Sequence, residues 1–85
     1  MFHYDKVQRK VENKEYTDYI WSNKYENEIF RRDLVKVLVK RYKMTESHAE
    51  WIYDFCYDIA LRAGSLSVLS VYNKVILKAN LMSVA

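Results

Sequence analysis

Apolar positions along this chain recur with a helical period, and each recurrence begins and ends at residues suited to helix ends. Over residues 23–43, Phe30, Leu34, Val37 and Leu38 share one side at 100° per residue. Val35, Val39 and Tyr42 widen that apolar arc to roughly 200°. Ser22 or Asn23 is suited to cap this segment, and Glu26 and Glu28 stand in its first turns, where the helix dipole favours acid. The stretch "LVKVLV" also alternates like a strand, but the longer helical period around it and the lack of turn residues favour the helix.

A break follows at residues 44–47, where Thr45 ahead of Glu46 and His48 makes a helix start with an acidic first turn. The second helix is expected over residues 46–63, with Ala49, Ile52, Phe55, Cys56, Ile59 and Ala63 on one apolar arc. Phe55 and, on the flank, Trp51 are expected in the core, whereas Tyr53 and Tyr57 fall on an edge shared with acidic residues. Gly64, the only glycine, stands where a left-handed helix terminator belongs. A third helix over residues 66–81, capped by Ser65 or Ser67, turns Val68, Leu69, Tyr72, Val75, Ile76 and Ala79 inward and Lys74 and Lys78 outward.

Residues 1–22 carry a thinner pattern, in which Tyr4, Val7 and Val11 line a short helix or an arm that orders on contact. Tyr16, Tyr19, Ile20 and Trp21 then form an extended stretch or a helix end that packs as an anchor. The expected architecture is one all-α domain over residues 1–85: a small three-helix bundle with an N-terminal arm or short extra helix. One glycine and no proline in 85 residues agree with it, because tight-turned β folds need both.

Composition adds a bound on stability and on partners. A chain this short buries about 60–65% of its unfolded surface, so association with a partner or with itself would help it. Its 51% apolar and 29% charged residues are those of a folding chain, and its 15% aromatic content is more than a small core needs. The net charge of +3 permits a nucleic-acid partner. A single Cys56 excludes an intramolecular disulfide, and no apolar run approaches the ~18 residues of a membrane span. The expected place of action is the cytoplasm, without membrane contact.

Catalytic chemistry finds little to stand on. His3, His48 and Cys56 are the only soft or imidazole ligands, and Cys56 projects toward the apolar arc, so neither a metal nor another cofactor is expected. No nucleophile constellation emerges, and one glycine cannot build a phosphate loop. The expected function is therefore binding, not turnover.

Charge is distributed in two rows. Arg32, Lys36, Lys40 and Lys43 run along the first long helix, with Arg31 and Arg41 nearby, and Glu46, Glu50, Asp54 and Asp58 run along the second. Like charges four apart repel by a few tenths of a kcal/mol, so segregation has a local cost that an outside field can offset. Two consecutive helices packed antiparallel would pair the rows within the chain, but each row lies opposite its own apolar arc and so points outward. Arg31, Arg32, Lys36, Lys40, Arg41 and Lys43 are the candidates for RNA or DNA contact. Glu46, Glu50, Tyr53, Asp54, Tyr57 and Asp58 are the candidates for a basic protein surface.

In size and composition the whole chain resembles the small phage-encoded proteins that block host defence systems, with no motif shared. That resemblance implies a stoichiometric inhibitor of a host nuclease or toxin, in contact with RNA. A DNA-binding transcription regulator is the first alternative, using the 44–47 break as a helix-turn-helix, although the helix after the break is acidic. The second is a self-assembling structural protein, an oligomer whose copies pair basic row to acidic row.

Overall fold

The computed structural model describes residues 5–83, which form four helices instead of three: α1 (Lys6–Glu12), α2 (Glu28–Arg41), α3 (Glu46–Arg62) and α4 (Val68–Ser83). His3 and Tyr4 lie outside the described residues. All four helices touch two neighbours, α1 with α2 and α4, and α3 with α2 and α4, so they close into a ring around one core.

The additional helix is α1, whose seven residues could not hold a helix alone. Local chemistry closes both of its ends. Asp5 Oδ1 accepts from the Gln8 backbone N–H at 2.6 Å, and Val7 and Val11, one turn apart, are buried. At the far end Lys14 takes a left-handed φ of 56°, its N–H donating to the Val11 carbonyl while Glu15 donates to Lys10. This is a Schellman closure without its usual glycine.

The segment between α1 and α2 is extended at its centre. Ile20 is fully buried and donates its N–H to the Leu66 carbonyl at 2.8 Å, while Val68 donates to the Asp18 carbonyl at 3.0 Å. These bonds tie the arm to the α3–α4 connection as an isolated antiparallel bridge between Tyr19 and Ser67. Residues 23–27, expected as helix, form a turn instead, because the Asn23 side chain accepts from the Tyr25 N–H at 2.9 Å. Helix α2 starts only after Asn27, which caps it without a side-chain hydrogen bond.

The core runs through Phe30, Leu34, Val35 and Leu38 of α2, Val68, Val71, Tyr72, Val75 and Ala79 of α4, and a face of α3 that the sequence pattern misassigned. On α3 the buried residues are Ala49, Ile52, Tyr53, Cys56, Tyr57 and Ala60, whereas Trp51, Phe55 and Ile59 are exposed. The helix is turned so that its two tyrosines, not its phenylalanine, fill the centre. Tyr57 answers the polar requirement by donating its hydroxyl to the Trp21 carbonyl at 2.6 Å. On α4, Leu69 is likewise outside and Val71 inside. Helix ends in this half follow the sequence expectation: Thr45 caps α3 by accepting from the His48 N–H at 3.2 Å. Gly64, at φ 72°, lets the N–H groups of Gly64 and Ser65 reach the carbonyls of Leu61 and Ala60.

Candidate polyanion-binding groove

A groove of about 420 Å³ lies between α1 and α2, lined by Lys6 and Lys10 from the first helix and Lys36, Lys40 and Arg41 from the second. Helix geometry explains the convergence. Val7 and Val11 turn α1 onto the core, which leaves Lys6 and Lys10, four apart, together along its α2 edge. On α2, the buried Phe30, Leu34 and Leu38 put Lys36 and Lys40 on the outer surface beside α1, with Arg32 one turn earlier on the same face, while Lys43, expected in the row, lies beyond the helix end at a left-handed φ of 60°.

Against these five cations stand two carboxylates, Asp5 and Asp33, and both are occupied. Asp5 Oδ2 accepts from Arg41 Nη1 at 3.0 Å. Asp33 Oδ2 accepts from the Tyr16 hydroxyl at 2.9 Å and lies 3.8 Å from Lys10 Nζ. Burial, together with that hydrogen bond and the carboxylate's charge, pushes the Tyr16 phenol well above its ordinary pKa, so it serves as a neutral donor. Lys10 also sits over the Tyr16 ring, 5.7 Å from its centre. Lys6, Lys36 and Lys40, with Arg32 and Lys43 beside them, have no ion-pair or hydrogen-bond partner among the described residues.

The expected basic set is thus divided. Arg32, Lys36 and Lys40 stay exposed along α2, Lys43 is exposed beyond its end, and Arg41 borders the groove through its pair with Asp5. Arg31 goes elsewhere, to the α2–α3 seam, where Nε and Nη2 meet the two oxygens of Asp54 at 3.2 and 3.3 Å and Nη1 lies 3.9 Å from Glu50. Its guanidinium packs over the rings of Tyr25 and Tyr53. Burial opposes its charge, but Asp54 and Glu50 outweigh that and hold its pKa above the ordinary arginine value.

The acidic set does not form an open surface either. Asp54 also has Lys24 Nζ at 3.7 Å, and with Glu50 it faces α2, so the acidic row is met within the chain by Arg31 and Lys24, which stand outside the basic row. Tyr53 and Tyr57, expected to meet a partner, are core residues with essentially no exposed surface. Only Glu46 and Asp58 remain exposed without an ion pair among the described residues.

Lys6 and Lys10 are the groove residues that sequence reasoning passed over. The charges of residues 5–15 nearly cancel in sum, and the two lysines gain meaning only once Val7 and Val11 fix the helix face. Among the described residues no three His, Cys, Asp or Glu side chains gather as metal ligands, and no helix is long and apolar enough to cross a membrane. Comparison with protein-family models, with curated proteins and with solved structures returns no match for this chain.

Proposed function

We propose that this chain is a non-enzymatic binding protein whose α1–α2 face takes the phosphate backbone of a nucleic acid, RNA foremost. The observation that carries the reading is the groove's imbalance: lysines from two helices converge on one surface while its two acids are already engaged. A phosphodiester placed there meets ammonium groups on both walls, and each contact releases condensed counterions, the main source of such affinity. Lysine, a point charge on a flexible stem, suits backbone tracking more than base reading.

Acting by occupancy, the protein would inhibit a host nuclease or toxin by holding the RNA that enzyme requires. The regulator alternative draws less support. Its reading helix would be α3, whose outward surface presents Trp51, Phe55 and Asp58 in place of a basic row. Fluorescence anisotropy with labelled single-stranded RNA and with duplex DNA tests the proposal. Affinity should fall by at least tenfold in Lys36→Glu/Lys40→Glu with the circular dichroism unchanged, and equal binding by that variant would remove the reading.

A further inference from the structure

Across the helix ring from the groove, the outward surface of the α3–α4 pair carries Trp51, Phe55 and Ile59 at four-residue spacing and, from α4, Leu77, Leu81 and Met82. They are exposed by 52, 40, 41, 60, 64 and 43%, respectively. Lys78 Nζ lies 5.1 Å from the centre of the Phe55 ring, which fixes the level at which the antiparallel helices adjoin. One turn along, Trp51 therefore lies level with the Leu81–Met82 end of α4, and the six side chains form one patch. At half exposure they present roughly 500 Å² of apolar surface, near the upper end of the largest patch a monomer carries.

We propose that this patch is covered by a second copy of the chain, in a two-fold dimer. Three features select that occupant. The area matches the apolar centre of a homodimer interface, which takes about 800 Å² per partner once its polar rim is included. The aromatic faces are already engaged: Trp51 and Phe55 stack at 5.2 Å with 9° between planes, His48 adjoins Trp51, and Lys78 lies over Phe55. A nucleic-acid base, which needs a free ring face, is poorly served, whereas ring edges beside leucines suit aliphatic packing from another helix pair.

Charge supplies the third feature. Asp58 stands on α3 on the side of the Trp51–Phe55–Ile59 stripe away from α4, exposed and without an ion pair among the described residues, while Lys78, over the Phe55 ring, stands on the α4 side of that stripe. A two-fold axis running along the Trp51–Phe55–Ile59 stripe faces Asp58 of each copy with Lys78 of the other, giving two ion pairs per dimer. Because the α1–α2 groove is on the far side of the ring, both grooves stay open.

Sedimentation velocity on the full chain, freed of nucleic acid by nuclease and a high-salt wash, tests this from about 5 to 200 μM, the range in which a modest dimer reports itself. The expected result is a monomer–dimer equilibrium, with Phe55→Glu/Leu77→Glu monomeric throughout and unchanged in circular dichroism. The register has its own test, which does not depend on those substitutions. Asp58→Lys alone and Lys78→Asp alone should each weaken the dimer by at least tenfold, and an equimolar mixture of the two should restore it as a heterodimer. A wild-type chain monomeric at every concentration, a dimer indifferent to Leu77→Glu, or a mixture that fails to recover would each overturn the proposal. So would a dimer that forms only when nucleic acid is added.

Discussion

Arg31 on α2 grips Asp54 on α3 in fork-to-fork geometry, Nε to Oδ1 at 3.2 Å and Nη2 to Oδ2 at 3.3 Å, with both side chains largely withdrawn from solvent. Such a pair sets the register between two helices more than it adds to net stability, yet losing one partner strands the other. Arg31→Ala should therefore destabilise the fold by about 1–3 kcal/mol in urea unfolding. Asp54→Ala should cost less, because Glu50 still neutralises Arg31. A double-mutant cycle should return coupling of at least about 0.5 kcal/mol, and additivity would show that the pair is incidental.

The two core tyrosines of α3 should respond oppositely to loss of a hydroxyl. Tyr57→Phe removes the bond to the Trp21 carbonyl and should cost about 1 kcal/mol. The Tyr53 hydroxyl is buried with no hydrogen-bond partner among the described residues, so Tyr53→Phe should be neutral or stabilising by up to about 1 kcal/mol. Thermal denaturation of the two variants, side by side, distinguishes these outcomes.

The helix ends offer a conformational test. Lys14 and Lys43 hold φ of 56° and 60°, a region that disfavours side chains, so Lys14→Gly and Lys43→Gly should each stabilise by a few tenths to about 1 kcal/mol. Gly64→Ala should do the reverse by about 1 kcal/mol through backbone strain, because an added Cβ would meet nothing within 4 Å among the described residues. Equal urea midpoints for all three variants and the wild type would contradict this.

Alkali should unfold the protein cooperatively. Burial raises the pKa of the phenols of Tyr16, Tyr53 and Tyr57, and that of Tyr72 to about 12. The unfolded chain gives up these protons near pH 10, so the folded state binds more of them above that pH. The stabilisation is complete below pH 10 and is lost as pH rises from 10 through about 12, by up to about 1.4 kcal/mol per pH unit for each phenol. Urea midpoints should stay level from pH 7 to 9 and fall above 10, while tyrosinate absorbance of the folded protein shows a fraction that titrates late.

Three of the helices were legible because their signals are local: Thr45 caps α3, Gly64 ends it, and the apolar period spans each segment. The face of α3 was not legible. Its aromatics and apolar residues occupy most of the circumference, and the choice between Phe55 and Tyr53 rests on neighbours that sequence does not display, among them the Trp21 carbonyl and the Arg31 guanidinium. The late start of α2 was hidden by Asn23, which caps a turn as readily as a helix. Half of the groove was visible as the Arg32–Lys43 row. The other half required knowing that α1 packs beside α2, although the two segments stand well apart along the chain.

Lys6 carries the part of the groove that comes from α1, and it has no ion-pair partner among the described residues. Lys6→Glu should weaken RNA binding about 3- to 10-fold with no change in the unfolding midpoint, as expected where one ammonium facing the phosphates becomes a carboxylate. Arg62→Glu, exposed at the end of α3, serves as the control and should leave binding within about twofold.

The most direct measurement of phosphate recognition by the α1–α2 groove is the salt dependence of affinity for one single-stranded RNA, for wild type and for Lys36→Glu/Lys40→Glu. With four or five phosphates engaged, the wild-type log–log slope should lie near −3, a drop of about 50-fold between 50 and 200 mM salt. The double variant should bind at least tenfold more weakly at low salt, with a slope shallower by roughly 1 to 2. Superimposable affinities and slopes would contradict the assignment of the groove.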